Sequence, residues 1–121
     1  MKMYSREHQW VELKGEKAYL GITEFAAKQL GDIVFVELPA VNDQFAAGEV
    51  IARVESVKSS SEIYCPVSGE VLAIKEELAD APERLNADPE GEAWIAEIRL
   101  ENPKELDELM TKEEYLAGLS S

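Results

Sequence analysis

The chain has 121 residues, 45% of them hydrophobic and 31% charged, and this length and balance predict one domain with a modest core. Twenty-five acidic residues against twelve basic ones give a formal net charge of -13, which argues against nucleic acid or an anionic membrane as partner. The single cysteine excludes an internal disulfide and a multi-cysteine zinc site, and no apolar run is long enough to cross a bilayer. We therefore expect a cytoplasmic protein without a metal site.

The first part of the chain predicts a hairpin followed by a short helix. Gln9–Lys14 and Lys17–Thr23 have strand patterns and are joined by a turn at Gly15. Thr23 is a suitable cap for a helix that ends at Gly31, where a left-handed backbone conformation is easily adopted.

The middle of the chain predicts strands in succession. Ile33–Leu38 is apolar on both faces for most of its length, as expected of a strand buried on both sides. Val50–Glu55 and Ile63–Val67 alternate between apolar and polar residues, so we predict that they pair as an antiparallel hairpin. The polar link Ser56–Glu62 contains Lys58, which places this lysine at the tip of the hairpin.

Two further strands and a long loop are predicted before the tail. Glu70–Lys75 follows a turn at Gly69, and Trp94–Leu100 alternates again. The polar segment Glu76–Gly91 contains two prolines, and it predicts a loop with a single helical turn.

The tail predicts two short helices that dock on the sheet. Asn102 is a suitable cap, Pro103 fits the first turn, and Glu105 is placed to return to the cap. Thr111 and Glu114 repeat this arrangement before the second helix. The apolar stripes of the two helices are Leu106, Leu109 and Met110, and then Tyr115, Leu116 and Leu119.

The sequence offers few groups for catalysis. His8 is the only histidine, so a nucleophile and base pair would have to combine it with Cys65 or a serine, and strand alternation turns Cys65 inward. Carboxylates near Lys58 favour its charged ammonium form and disfavour Schiff-base chemistry. A solvated lysine at a hairpin tip is instead well presented for modification by another enzyme.

Several motifs occur in a fixed order along nearly the whole chain. They are LGDIVFVELP at 30–39, ESVK at 55–58 and PVSGEV at 66–71, and residues 4–10 and 102–115 extend the match. In this order and spacing they resemble the H protein family of the glycine cleavage system. A lysine-tip motif alone would also fit other lipoyl and biotinyl domains.

The resemblance implies a mainly β, lipoyl-domain-like fold. This fold is a flattened barrel of two small antiparallel sheets, or barrel-sandwich hybrid, with a short inserted helix and C-terminal helices. The single H-protein-like domain would span residues 1–121, with a lipoyl-bearing core at 17–100 and a C-terminal helical extension at 102–120. Lys58 would carry lipoic acid as lipoyl-lysine.

The resemblance also implies a non-catalytic carrier with defined partners. The lipoyl arm would take the aminomethyl group from the pyridoxal-phosphate glycine decarboxylase (P protein) to the folate-dependent aminomethyltransferase (T protein). Dihydrolipoyl dehydrogenase (L protein) would reoxidise the arm, and a lipoate-attaching enzyme would load it onto a monomeric carrier. The alternative is a lipoyl-relay or storage protein that donates lipoate to other carrier domains.

The resemblance assigns roles to five further residues. Glu55 and Gly69 match positions that the attaching enzyme reads in this family. His8, Gln9 and Glu62 are candidates for the cleft around the loaded arm. Gln9 and Glu62 replace the family's usual glutamate and aspartate, so that cleft is expected to differ here.

Three further departures concern packing and loop shape. Cys65 stands where the family often has alanine or serine, which predicts a small buried residue. Glu90 and Ala93 replace the usual tyrosine and glycine near the late tryptophan. We therefore expect the loop before that tryptophan to differ from the family pattern.

Overall fold

Nine strands form two antiparallel sheets in the computed structural model, which describes residues 2–119. The strands are β1 (Lys2–Tyr4), β2 (Gln9–Lys14), β3 (Lys17–Ile22), β4 (Ile33–Glu37), β5 (Gln44–Phe45), β6 (Val50–Ser56), β7 (Ser60–Tyr64), β8 (Gly69–Ile74) and β9 (Ala96–Leu100). The helices are α1 (Glu24–Leu30), α2 (Glu77–Asp80), α3 (Arg84–Ala87) and α4 (Lys112–Leu119), and a 3₁₀ helix covers Pro103–Glu108. Met1, Ser120 and Ser121, which the predicted domain ranges include, lie outside the described residues.

The two sheets share one hydrophobic core. The larger sheet has the order β1-β2-β3-β9-β8-β5, and the smaller one has the order β4-β6-β7. Side chains from both sheets fill the core, among them Leu20, Val36, Val54, Val71 and Ile98. The prediction of a mainly β fold with two antiparallel sheets is confirmed. Within the described residues no strand pairing joins the sheets into a closed barrel.

The first hairpin and α1 form as predicted. β2 and β3 pair along their whole lengths. The Thr23 hydroxyl oxygen accepts a hydrogen bond from the Ala26 amide, so Thr23 caps α1. Gly31 ends the helix with a φ of 77°, a conformation that favours glycine.

β4 differs from its prediction because it is buried on one side only. Ile33 and Val36 face the core, whereas Val34 and Phe35 are 53% and 49% exposed. The register against β6 shifts between Ile33 and Phe35, so a bulge interrupts the alternation there. The apolar sequence of this strand therefore contains two residues that the fold leaves at the surface.

The segment between β8 and β9 is more ordered than a loop with one helical turn. It contains both α2 and α3, and each helix buries one leucine, Leu78 and Leu85, completely. The polar composition and the two prolines of this segment did not indicate these two buried leucines. None of the described helices is long and apolar enough to cross a membrane.

The first tail helix is of the 3₁₀ type, and one predicted cap contact is wrong. Asn102 Oδ1 accepts from the Lys104 amide, as expected of a cap. Glu105 does not return to this cap, because its carboxylate accepts from the Ser68 amide at 2.7 Å and from the Ser68 hydroxyl at 2.9 Å. Glu105 therefore ties the tail to the turn before β8.

The second tail helix begins with the predicted reciprocal cap. The Thr111 amide donates to Glu114 Oε1, and the Glu114 amide donates to Thr111 Oγ1. Tyr115 is buried, but Leu116 is 48% exposed, so its predicted docking is wrong. Strand β1, which the sequence analysis did not predict, also pairs with the tail through a β-bridge between Tyr4 and Met110.

Candidate functional site

Lys58 lies at the tip of the β6–β7 hairpin, as predicted. The second strand, however, is Ser60–Tyr64, so most of it comes from the residues predicted as the link rather than from Ile63–Val67. The Ser56 amide donates to the Ser59 carbonyl at 2.7 Å and closes the turn. The Ser56 hydroxyl oxygen accepts from the Lys58 amide at 3.3 Å and from the Ser59 amide at 3.1 Å. One serine side chain thus orders the backbone on which the exposed lysine stands.

The hairpin tip rests on the two residues that link α1 to β4. The Val57 amide donates to the Asp32 carbonyl at 3.0 Å. The Lys58 side chain lies beside Gly31, where a Cβ atom would be 3.3 Å from Lys58 Cε and 3.8 Å from Nζ. The stem of the lysine therefore lies against the end of α1.

A side chain from α3 forms hydrogen bonds with the backbone on either side of Asp32. Asn86 Nδ2 donates to the Gly31 carbonyl at 2.8 Å, and Asn86 Oδ1 accepts from the Ile33 amide at 2.9 Å. Sequence reasoning did not find Asn86, because contacts between distant segments leave no local periodicity. Gly31 was predicted only as a helix stop.

Glu55 and Gly69 occupy different environments. Glu55 is exposed in β6, opposite Phe35 and Ser60. Gly69 is buried at the start of β8, where a Cβ atom would lie 2.5 Å from the Arg99 carbonyl oxygen. Packing against β9 is therefore sufficient to require glycine at this position.

His8 takes part in a hydrogen-bonded cluster. Its Nδ1 atom is 2.6 Å from the Tyr115 hydroxyl, which is also 2.8 Å from Thr23 Oγ1. The imidazole packs against the Phe25 ring with centroids 4.7 Å apart. Burial lowers the pKa of His8, and Glu7 opposes this shift. The arrangement fixes the first turn of the chain to α1 and α4.

Cys65 is buried and lacks the environment of a reactive thiol. Its sulfur donates to the Val67 carbonyl at 2.9 Å, and burial raises the pKa of the thiol to about 12. A thiol at neutral pH in this environment is a weak nucleophile. His8 is engaged with Tyr115 rather than with this thiol.

Comparison with known proteins identifies the family. The family model for the glycine cleavage H-protein matches residues 2–121. The chain belongs to this family. The glycine cleavage system H protein of Phenylobacterium zucineum is 51% identical over 118 residues, which cover 98% of each chain. That of Carboxydothermus hydrogenoformans is 48% identical over 112 residues, 93% of this chain and 86% of the relative.

A solved structure confirms the fold of the H-protein family for this chain. The crystal structure of a glycine cleavage system H protein from Mycobacterium marinum aligns with a TM-score of 0.91 and 31% sequence identity. The alignment covers 99% of this chain and 97% of that one. The two-sheet architecture around the Lys58 hairpin is therefore that of the family.

The side chains of the three arm-cleft candidates from the H-protein resemblance contact different residues. Gln9 is buried, with Oε1 accepting from the Ser5 hydroxyl at 2.6 Å and Nε2 donating to the Glu7 carbonyl at 2.8 Å. Glu62 pairs with Arg53 at 3.3 Å on the exposed face of the Lys58 hairpin. His8 belongs to the cluster around Tyr115.

Glu90 joins three parts of the chain. Its Oε1 atom accepts from the Tyr4 hydroxyl at 2.8 Å, and its Oε2 atom accepts from the Glu24 amide at 2.8 Å. Its backbone carbonyl accepts from Lys2 Nζ. Burial and this carboxylate raise the pKa of Tyr4. Glu90 thus links β1 to α1.

Proposed function

We propose that this chain is the lipoyl carrier of glycine cleavage and that lipoic acid is attached to Lys58 through an amide bond. The observation that carries the proposal is an exposed lysine on an ordered hairpin tip in a chain of the H-protein family. This arrangement fits a covalently attached group. The amine is accessible to an attaching enzyme while the backbone beneath it is held by hydrogen bonds.

The residues of the chain supply attachment and position. The attaching enzyme brings an activated acyl group, and the Lys58 nitrogen forms the amide as the leaving group departs. When bound, the lipoyl group supplies the acceptor for the aminomethyl unit and a disulfide that can be reduced and reoxidised. Tethering at Lys58 raises the local concentration of the carried unit at each partner, so the carrier needs no catalytic side chain.

We assign the P, T and L proteins and the lipoate-attaching enzyme as partners of a monomeric carrier. All four must reach the same hairpin tip, so they bind in turn. The formal charge of -13 favours partners with basic surfaces around their entrances. The acidic surface would then increase the rate of encounter and make it sensitive to salt.

The recognition residues are assigned by their positions. Glu55 is exposed on the strand that leads to Lys58, which supports direct reading by the attaching enzyme. Gly69 would act through the backbone shape at the start of β8. Among the arm-cleft candidates the geometry favours Glu62, because it lies on the exposed side of the same hairpin. Gln9 and His8 would shape the cleft by holding the first turn.

Mass spectrometry after loading tests the attachment site. The purified chain is incubated with lipoate, ATP and a lipoate-attaching enzyme, and the modified peptide is mapped. A lipoyl adduct confined to Lys58 is expected, and Lys58→Arg is expected to stay bare because its guanidinium is not acylated. Lys28→Arg is the matched control, since Lys28 is exposed on α1. An adduct on another residue would refute the assignment.

Reconstitution with the P, T and L proteins tests the pathway. Loaded wild-type chain should support glycine-dependent one-carbon transfer, and Lys58→Arg should support none. A loaded chain that fails here but passes labelled lipoyl groups to an acceptor domain would instead establish the relay function.

A further inference from the structure

The Lys58 turn packs against the segment that links α1 to β4. In this segment, Gly31–Asp32, the Asp32 carbonyl accepts a hydrogen bond from the Val57 amide, and Gly31 lies beside the Lys58 side chain. Val57 itself is 70% exposed, so its side chain adds little to hold the turn. The contact of the tip with this segment is therefore carried by backbone atoms and by the Lys58 methylenes.

Asn86 determines where that segment lies. Its two hydrogen bonds bracket Asp32, one to the Gly31 carbonyl and one from the Ile33 amide. The residue beside it in α3, Leu85, is completely buried, so the helix that presents Asn86 is anchored in the core. The orientation of the Asp32 carbonyl is thus coupled to a side chain from a distant part of the sequence.

Gly31 provides the space that the lysine stem occupies. Its φ of 77° strains any other residue, and a Cβ atom there would lie 3.3 Å from Lys58 Cε. A Cβ atom at this position would push the lysine stem away by a few tenths of an ångström. The backbone conformation at the helix end is what requires glycine, and the missing Cβ atom lets the lysine stem lie close to it.

We propose that Asn86 and Gly31 are positioning residues for Lys58. Asn86 fixes the segment on which the hairpin tip rests, and Gly31 leaves room for the stem of the lysine. Neither residue needs to contact the attached group. The consequence for lipoyl loading rests on the proposed function, whereas the positioning of the tip does not.

Amide hydrogen exchange tests the positioning directly. Asn86→Ala removes both bracketing bonds, so protection of the Val57 amide should fall about tenfold, as expected when one hydrogen bond is weakened. The Val71 amide, which donates to the Asp43 carbonyl at 2.8 Å, serves as an internal reference and should change less than about twofold. Asn102→Ala is the matched control, because it also removes an asparagine bond to backbone, in the tail.

Lipoyl loading gives the second readout. With the attaching enzyme, Asn86→Ala should lower kcat/KM about five- to tenfold, chiefly through KM, because a disordered tip must be ordered on binding. Asn102→Ala should leave this value unchanged. Gly31→Ala should lower kcat/KM as well, although it retains Asn86.

The outcomes separate the two proposals. Unchanged Val57 protection and unchanged loading in Asn86→Ala would overturn the positioning role, and so would an equal effect of Asn102→Ala. Selective loss of Val57 protection in a chain that never accepts lipoate would support the positioning role and overturn the proposed function. Should Asn86→Ala fail to fold, Asn86→Asp keeps the acceptor for the Ile33 amide and removes the donor to Gly31. The same comparisons then decide the proposal.

Discussion

The Nδ1 atom of His8 and the hydroxyl of Tyr115 lie 2.6 Å apart, although 107 residues separate them in the chain. The same hydroxyl reaches Thr23, which caps α1. The Tyr115 ring also stacks on Tyr4 with centroids 5.0 Å apart. One side chain from α4 therefore connects the first turn, the first helix and the edge of the larger sheet.

Removal of the Tyr115 hydroxyl should weaken this connection. Tyr115→Phe keeps the stacked ring but leaves His8 and Thr23 without the oxygen that joins them, so we expect a loss of about 1–3 kcal/mol in the free energy of unfolding. Urea denaturation followed by circular dichroism measures this. Tyr64→Phe in β7 is the control and should change stability by less than about 0.5 kcal/mol. Equal losses in the two variants would contradict a specific role for the hydroxyl.

Stability should fall as the pH is lowered through the titration range of histidine. Burial lowers the folded-state pKa of His8 below the unfolded value of about 6.5, so the unfolded chain takes up the proton first. The free energy of unfolding should therefore decrease from about pH 7 downward and level off, for this group, below the folded-state pKa.

The matched variant for this pH effect is His8→Asn. Asparagine tolerates the φ of 71° at this position, and His8 is the only histidine in the chain. The difference in unfolding free energy between wild type and variant should narrow as the pH falls from about 7.5 to about 5.5. A difference that stays constant over this range would show that the pKa of His8 is the same in the folded and unfolded states.

The sequence was sufficient to predict a hairpin with Lys58 at its tip, although not the bounds of its second strand, because the pattern is local. Two alternating runs on either side of a polar link specify antiparallel pairing, and the tip follows from the link. The α1 cap at Thr23 and its stop at Gly31 are local in the same sense. Two of the resemblance motifs, at 30–39 and 55–58, include parts of these elements, so fold and family could be predicted together.

The supports of the site could not be predicted in this way. Asn86 contacts a segment more than fifty residues away, and its own neighbourhood has the composition of a loop. The β-bulge turns Phe35 towards the surface, although the apolar pattern of the strand gives no sign of it. Glu105 fits a cap motif by sequence, but its carboxylate accepts instead from the amide and the hydroxyl of Ser68. In each case a tertiary contact overrides a local preference.

Cys65 should be unreactive in the folded protein. Burial raises the pKa of its thiol to about 12, so the thiolate fraction at pH 8 is very small, and the sulfur is covered by the core. A disulfide exchange reagent such as DTNB should label it only at the rate of unfolding, and one thiol per chain should react at once in denaturant. Rapid labelling of native protein would contradict this. The variant Cys65→Ala should lose all labelling in both conditions.

Gly69 should be required for packing before any role in recognition is considered. In Gly69→Ala the new Cβ atom would meet the Arg99 carbonyl oxygen at 2.5 Å and Ile98 Cδ1 at 3.1 Å, so β8 and β9 must separate. We expect a loss of about 2 kcal/mol or more in the free energy of unfolding, measured by urea denaturation. Gly118→Ala is the control, because within the described residues a Cβ atom there meets nothing within 4 Å beyond its chain neighbours and its own helix backbone. Alanine also favours the helical conformation by about 0.5–1 kcal/mol. If Gly69→Ala retained full stability yet accepted lipoate poorly, the attaching enzyme would be reading Gly69 directly. If stability and lipoyl loading fell together, the loading defect would be explained by the damage to the sheet.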